Sequence, residues 1–182
     1  MEHESRCEVS KWRRLKRERP ERVDTPGPGQ ESVWDYPRPP RVERVGQRVR
    51  VELAGIVLAD SVEACRALET ANPPAYYIPP PHVRREWLEP SRHSTLCEWK
   101  GAAQYWSIRV GDRFVENGAW SYPDPFDGYE GMGNFLAFFA GKMNACYVGE
   151  QCVIPQPGGY YGGWVTSHIV GPFKGGPGTE LW

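Results

Sequence analysis

The sequence has no CxxC pair, no HxH or HExxH spacing, and no apolar run approaching the length of a membrane span. Each absence removes a class of function. Without CxxC knuckles the usual tetrahedral zinc site has no ligands, and without the histidine spacings the common helical metal sites go too. No metal is expected. With no span, and no hydrophobic leader run at the charged N-terminus, no membrane partner is expected. Charge of one sign is also scarce: 22 Lys and Arg against 23 Asp and Glu leave −1, so no nucleic-acid partner is expected. The glycines form neither GxGxxG nor GxxxxGK(S/T) at the start of a helix, and no cofactor is read from them. Cys7, Cys65, Cys97, Cys146 and Cys152 are an odd set, better suited to reduced thiols in a cytosol than to a disulfide framework. The expectation is a soluble cytoplasmic protein.

What is present begins with length. The 182 residues fit one domain with an N-terminal extension. A domain near this size buries roughly 68–70% of its unfolded surface, enough for a core without staples. Residues 1–29 read as a charged, mobile extension closed by TPGPG. Its first thirty residues hold eight basic against six acidic side chains, too even a mixture for a nucleic-acid arm. Residues 30–182 read as a single β-rich domain.

Alternation carries that reading. Val49, Val51 and Leu53 alternate with polar residues, and Ile56, Val57 and Leu58 follow across Ala54-Gly55, as in a hairpin. Strands are expected near Thr95–Lys100 and Gln104–Val110, with Gly111-Asp112 turning the chain onward. A last hairpin is expected about Gly149-Glu150. Helices are expected near 62–69, where Ser61 can cap, and near 128–139. The fold class is therefore mainly β, α+β in detail: one compact antiparallel barrel- or tent-like domain with one or two short helices. Behind it comes a Gly/aromatic-rich segment from Pro155 to Trp182, PQPGGYYGGWVTSHIVGPFKGGPGTELW. Large rings among the glycines make it an ordered wrap and not a linker.

Three residues are candidates for catalysis. Cys97 lies near His93, Glu98 and Lys100 in sequence, and a thiolate beside a cation is an activated nucleophile. A regular strand would put Cys97 and Trp99 on one face and Glu98 and Lys100 on the other, which favours a structural thiol. Lys100, on an inner face, would need a carboxylate or a ligand anion. His168 in the C-terminal segment is a candidate acid or base, or a structural histidine. Trp99, Tyr105, Trp120, Tyr122, Tyr161 and Trp164 are candidates for an aromatic ligand wall, or for ordinary core.

The blocks WDYPRPP, PPAYYIP, TLCEWKGAAQYW, AWSYPDP and the C-terminal PQPGGYYGGWVTSHIVGPFKGGPGT resemble the domain-of-unknown-function 427 family. Within them Cys97, Trp99, Lys100, Gly101 and Tyr105 match its Cys-x-aromatic-Lys-Gly-x-Ala-x-Tyr block, and Trp120, Tyr122 and Pro123 its Trp-Ser-Tyr-Pro block. The resemblance runs from about residue 30 to the end. It implies a mostly β, barrel-like or tent-like core and carries no assigned activity. Three functions stay open: binding of a small polar or aromatic molecule in an aromatic-lined pocket, an enzyme using Cys97 or His168 with Lys100, or a structural or protein-interaction module without a ligand.

Overall fold

The computed structural model describes residues 9–182; Cys7 and the first eight positions of the expected extension lie outside it. Strand accounts for 43% of the chain and helix for 11%, so the mainly β class holds. In chain order the strands are β1 (Glu31–Ser32), β2 (Arg41–Arg44), β3 (Val49–Leu53), β4 (Ile56–Ser61), β5 (Cys65–Glu69), β6 (Asn72–Tyr77), β7 (Leu88–Cys97) and β8 (Gly101–Val110). They continue with β9 (Arg113–Ser121), β10 (Ala137–Phe138), β11 (Ala145–Val148), β12 (Gln151–Cys152), β13 (Ile154–Pro155), β14 (Trp164–Val165) and β15 (Ile169–Val170). Three sheets carry the domain, ordered β2-β5-β6, β12-β11-β3-β4 and β10-β9-β8-β7, all antiparallel. Two small pairs, β13-β14 and the parallel β1-β15, tie the termini to them.

The hairpins sit where turn chemistry puts them. Ala54 and Gly55, both at positive φ (50° and 77°), join β3 to β4, the backbone that matches strand twist in a two-residue loop. Gly149 at φ 59° joins β11 to β12. β3 shows the alternation directly: Val49, Val51 and Leu53 are buried, while Arg50 and Glu52 are half-buried. Pro73 and Pro74 are tolerated in β6 because it is the edge of its sheet, where a missing N–H breaks no ladder.

The expected helix over 62–69 is strand β5, paired with β2 on one side and β6 on the other. Two local features mimic a helix start. Ser61 Oγ accepts a hydrogen bond from the Glu63 amide at 3.0 Å, but this closes a turn and not a cap. A register shift between Ala67 and Glu69 then sets Leu68 on a buried face, which spoils a clean period of two. The expected helix over 128–139 is a single 3₁₀ turn, Glu130–Met132, followed by β10. Leu136, Ala137 and Phe138 are all fully buried. A run apolar on every side suits a buried strand as well as a helix, and here sheet pairing decides.

The core lies in three groups. The largest packs β3, β4, β8 and β11 around Leu53, Leu58, Ile108 and Trp164. A second, aromatic group gathers Tyr77, Trp120, Tyr122, Tyr129 and Phe139. A third holds Val33, Trp34, Tyr36 and Leu68 near the chain ends. Residues 9–24 lie against the domain mostly through polar contacts: Arg13 Nε donates to the Glu98 carbonyl, Glu18 N to the Leu181 carbonyl, and Asp24 N to the Gly171 carbonyl. Val9 is buried and Trp12 and Val23 are half-buried, while Leu15 stays 42% exposed, so apolar contact holds this segment only in part.

Two outcomes are expected. Trypsin is expected to cut first between Lys11 and Arg22, leaving a resistant product that starts after Arg22, because few buried apolar contacts oppose local opening there; an earliest cut inside 30–182 would reject that domain division. Trp164 is fully buried and stacks on Tyr76 at 5.1 Å between centroids. Trp164→Ala is expected to lower unfolding free energy by roughly 3–5 kcal/mol in urea titrations.

Candidate functional site

Backbone geometry at the β7–β8 hairpin brings the candidate residues together. β7 ends at Cys97 and β8 begins at Gly101, with Cys97 and Gly101 paired, so Glu98, Trp99 and Lys100 form the connecting turn. Gly101 takes φ 101°, outside the reach of other residues at low cost, and a Cβ there would press on the Asp124 carbonyl. Alternation therefore stops one residue before Glu98. Cys97 and Lys100, which a continued strand would separate, line one cavity of about 360 Å³.

The rest of the wall comes from several strands and from both flanking segments. β6 contributes Tyr77, β8 Tyr105, β9 Trp120, and the residue after β9 is Tyr122. The C-terminal segment closes one side with Tyr161 and Lys174, and residues 12–17 another with Trp12, Leu15 and Arg17. Trp120 meets Phe139 at 4.6 Å and Tyr77 at 6.1 Å between centroids, and its indole Nε1 donates to the Tyr77 hydroxyl at 3.4 Å. Gly162 fits flat against Trp120: a Cβ at that position would overlap the indole. This close approach is what the glycine pair at 162–163 provides. Gly158 and Gly159 instead supply positive φ, at 84° and 71°.

Charge on the wall is concentrated at one place. Lys100 is 7% exposed, and its Nζ lies 3.5 Å from Glu69 Oε2 without a hydrogen bond to any described residue. Arg38 Nε lies 3.5 Å from Glu69 Oε1 and is itself buried without a hydrogen bond, while its Nη2 donates to the Thr70 carbonyl at 2.9 Å. One carboxylate thus stands between a buried cation and a half-buried one. Burial alone would push the Lys100 ammonium down; the Cys97, Tyr122 and Glu69 side chains around it outweigh burial and hold it well above the usual lysine value. Burial pushes Tyr77 up to about 12 and Tyr122 well above its usual value, so both hydroxyls keep their protons at neutral pH. Lys174 is also buried, with Nζ donating to the main-chain oxygens of Glu180 (3.0 Å) and Trp182 (2.8 Å). Burial, then the guanidinium groups of Arg17 and Arg38, bring it down to about 8. Arg17 itself pairs with Glu98 at 3.1 Å.

Six of the nine sequence candidates share this cavity: Cys97, Lys100, Tyr105, Trp120, Tyr122 and Tyr161. Trp99 sits on the turn with Arg13 over its ring at 5.1 Å, off the cavity. Trp164 is sealed in the core, its indole Nε1 donating to the Phe138 carbonyl at 2.9 Å. His168 is exposed, with Nδ1 3.3 Å from the Gly29 carbonyl and its own carbonyl accepting from Glu31 N. Its position anchors the β1–β15 pairing. Sequence reasoning passed over Tyr77, Glu69, Arg38 and Lys174. Glu69 was hidden by the helix expectation, and Lys174, a lone lysine among PFKGG, was the one legible signal.

A family model described as a domain of unknown function (DUF427) matches residues 41–149. The chain belongs to this family. The match spans β2 to β11 and so includes Glu69, Tyr77, Cys97, Lys100, Trp120 and Tyr122. No curated protein matches the chain. Among the described residues no helix is long and apolar enough to cross a membrane, and no three His, Cys, Asp or Glu side chains are grouped to hold a metal.

The Lys174 shift gives a pH signature. Between about pH 8 and 10.5 the unfolded chain holds a proton on Lys174 that the folded chain has released. Stability rises with pH wherever the unfolded state binds more protons. Arg17, Arg38, Glu69, Glu98 and Tyr161 face the same group and remain in place in a Lys174→Met variant. Wild-type urea midpoints are therefore expected to gain on those of Lys174→Met as pH rises through this window. A pH-independent difference between the two proteins would reject the assignment.

Proposed function

We propose that the cavity beside the β7–β8 turn binds a small molecule carrying a planar ring. The observation that carries this reading is a buried lysine, without a hydrogen bond to any described residue, on the wall of a cavity that rings share with charged side chains. Its volume of about 360 Å³ falls in the range of small-ligand sites, roughly 300–1,000 Å³. Tyr105, Trp120 and Tyr161 supply faces for stacking, while the protonated hydroxyls of Tyr77 and Tyr122 and the Lys100 ammonium supply directional contacts. Buried polar groups without partners are costly, and a ligand that satisfies them recovers that cost.

A second reading is favoured by one further feature: the Cys97 thiol faces the same cavity as Lys100. There it could act as a nucleophile with the ammonium as electrostatic partner. His168, outside the cavity, has no part in that arrangement. The site is read as cytoplasmic, since Cys65, Cys97, Cys146 and Cys152 are all unpaired thiols.

Native mass spectrometry of the protein purified from its own cells tests the binding reading. The expected result is a species heavier than the chain by one small molecule, lost on denaturation and absent from Trp120→Ala. Only the bare chain mass under gentle conditions, for a protein that is folded by circular dichroism, would overturn it.

A further inference from the structure

Resting on the binding reading above, we infer that the ligand is an oxyanion, a carboxylate or phosphate borne on its ring system, seated against Lys100 and Arg38 beside Glu69. Burying a charge away from water is costly. A buried cation persists when it is paired and hydrogen-bonded. Glu69 is a single carboxylate placed 3.5 Å from Lys100 Nζ and 3.5 Å from Arg38 Nε, and at neither distance does the geometry make a hydrogen bond. Two positive charges share one negative charge.

The neighbouring charges do not repair the imbalance. Glu98 is taken by Arg17 at 3.1 Å. Glu180 is exposed and accepts from Gly178 N at 3.2 Å. Lys174 adds a further cation to the same wall, where burial first and then the charges of Arg17 and Arg38 depress it. A second negative group entering the cavity would meet the three donors of the Lys100 ammonium and the unspent Nε–H of Arg38. The Tyr77 and Tyr122 hydroxyls, held protonated, are donors on the same wall. Donors converge and acceptors are scarce. That polarity suits an oxyanion and disfavours a cation, whatever the rings would otherwise stack on.

Three probes with one ring system separate charge from stacking: 2-naphthoate, 2-naphthyl phosphate and the neutral 2-naphthylmethanol, each titrated calorimetrically into the full-length protein. At least one anionic probe is expected to bind about tenfold or more tighter than the alcohol, the weight of one charge-assisted hydrogen bond. Which of the two anions leads distinguishes a carboxylate ligand from a phosphate one. Lys100→Met is expected to erase the preference, bringing the anions' affinity down to that of the alcohol. Glu69→Gln, which removes the competing carboxylate, is expected to tighten the anion and not the alcohol; this second variant decides the matter should Lys100→Met fail to fold. Equal affinity for all three probes would overturn the anion inference and leave the ring site standing. Failure of all three to bind would overturn both.

Discussion

The buried amide of Gln156 is the contact on which the cavity depends. Its Nε2 donates to Asn72 Oδ1 at 2.9 Å and to the Lys174 carbonyl at 2.8 Å, and its Oε1 accepts from Gly163 N at 3.0 Å. Three separate stretches, the start of β6, the glycine pair and the last turn, are thus held by one side chain. A fully satisfied amide of this kind is worth far more in place than any of its bonds alone, because removing it leaves buried partners unpaired. With Gln156 set, Gly162 can press on Trp120 and Tyr161 can cover the wall. Beside it, the C-terminal segment is held by Trp164 in the core and by the two-residue β13–β14 and β1–β15 pairs.

The cavity's charge is harder to explain by stability. Replacing a buried ion pair by apolar side chains is often neutral or favourable, so Lys100, Arg38 and Glu69 are not there to make the domain stable. The cavity wall sets these charged groups among rings, so its residues must both pack apolar faces and pair polar groups. Trp120 obeys both demands at once: its face packs on Phe139, and its indole N–H is spent on Tyr77.

Much of this was legible in the sequence, and what was not had local causes. Alternation at Val49, Val51 and Leu53, and the turn residues Ala54-Gly55 and Gly149, located their hairpins because side-chain period and turn backbone are short-range properties. The stretch from Val62 to Glu69 was misjudged because a serine turn and a bulge together imitate a capped helix. Cys97 and Lys100 were assigned to opposite faces for a similar reason: where a strand stops is set by the Gly101 backbone and its fit to Asp124, not by the residues between. Trp164 could not be told from Trp120 by composition. One is core because Phe138 offers its indole a carbonyl; the other reaches a cavity because Gly162 leaves it room. Glu69 lies 31 positions from Arg38 and 31 from Lys100, and it meets both only where separate parts of the fold come together, which no local pattern encodes.

The family match ends at residue 149, and the boundary divides the cavity in an informative way. Lys100, Glu69, Tyr77, Trp120 and Tyr122, the groups that could contact a ligand's charge and ring, lie within it. Tyr161, Lys174 and Gln156 on one side of the match, and Arg38, Trp12 and Arg17 on the other, lie outside. The matched strands therefore make a floor with chemistry and an open top, while the flanking segments enclose it. Enclosure matters energetically, since a pairing of charges is worth more as water is excluded. Arg38 stands at the join, three residues before the match begins, and shares Glu69 with Lys100. Floor and flanks therefore share the cavity's chemistry, since Arg38 and Tyr161 come from the enclosing segments.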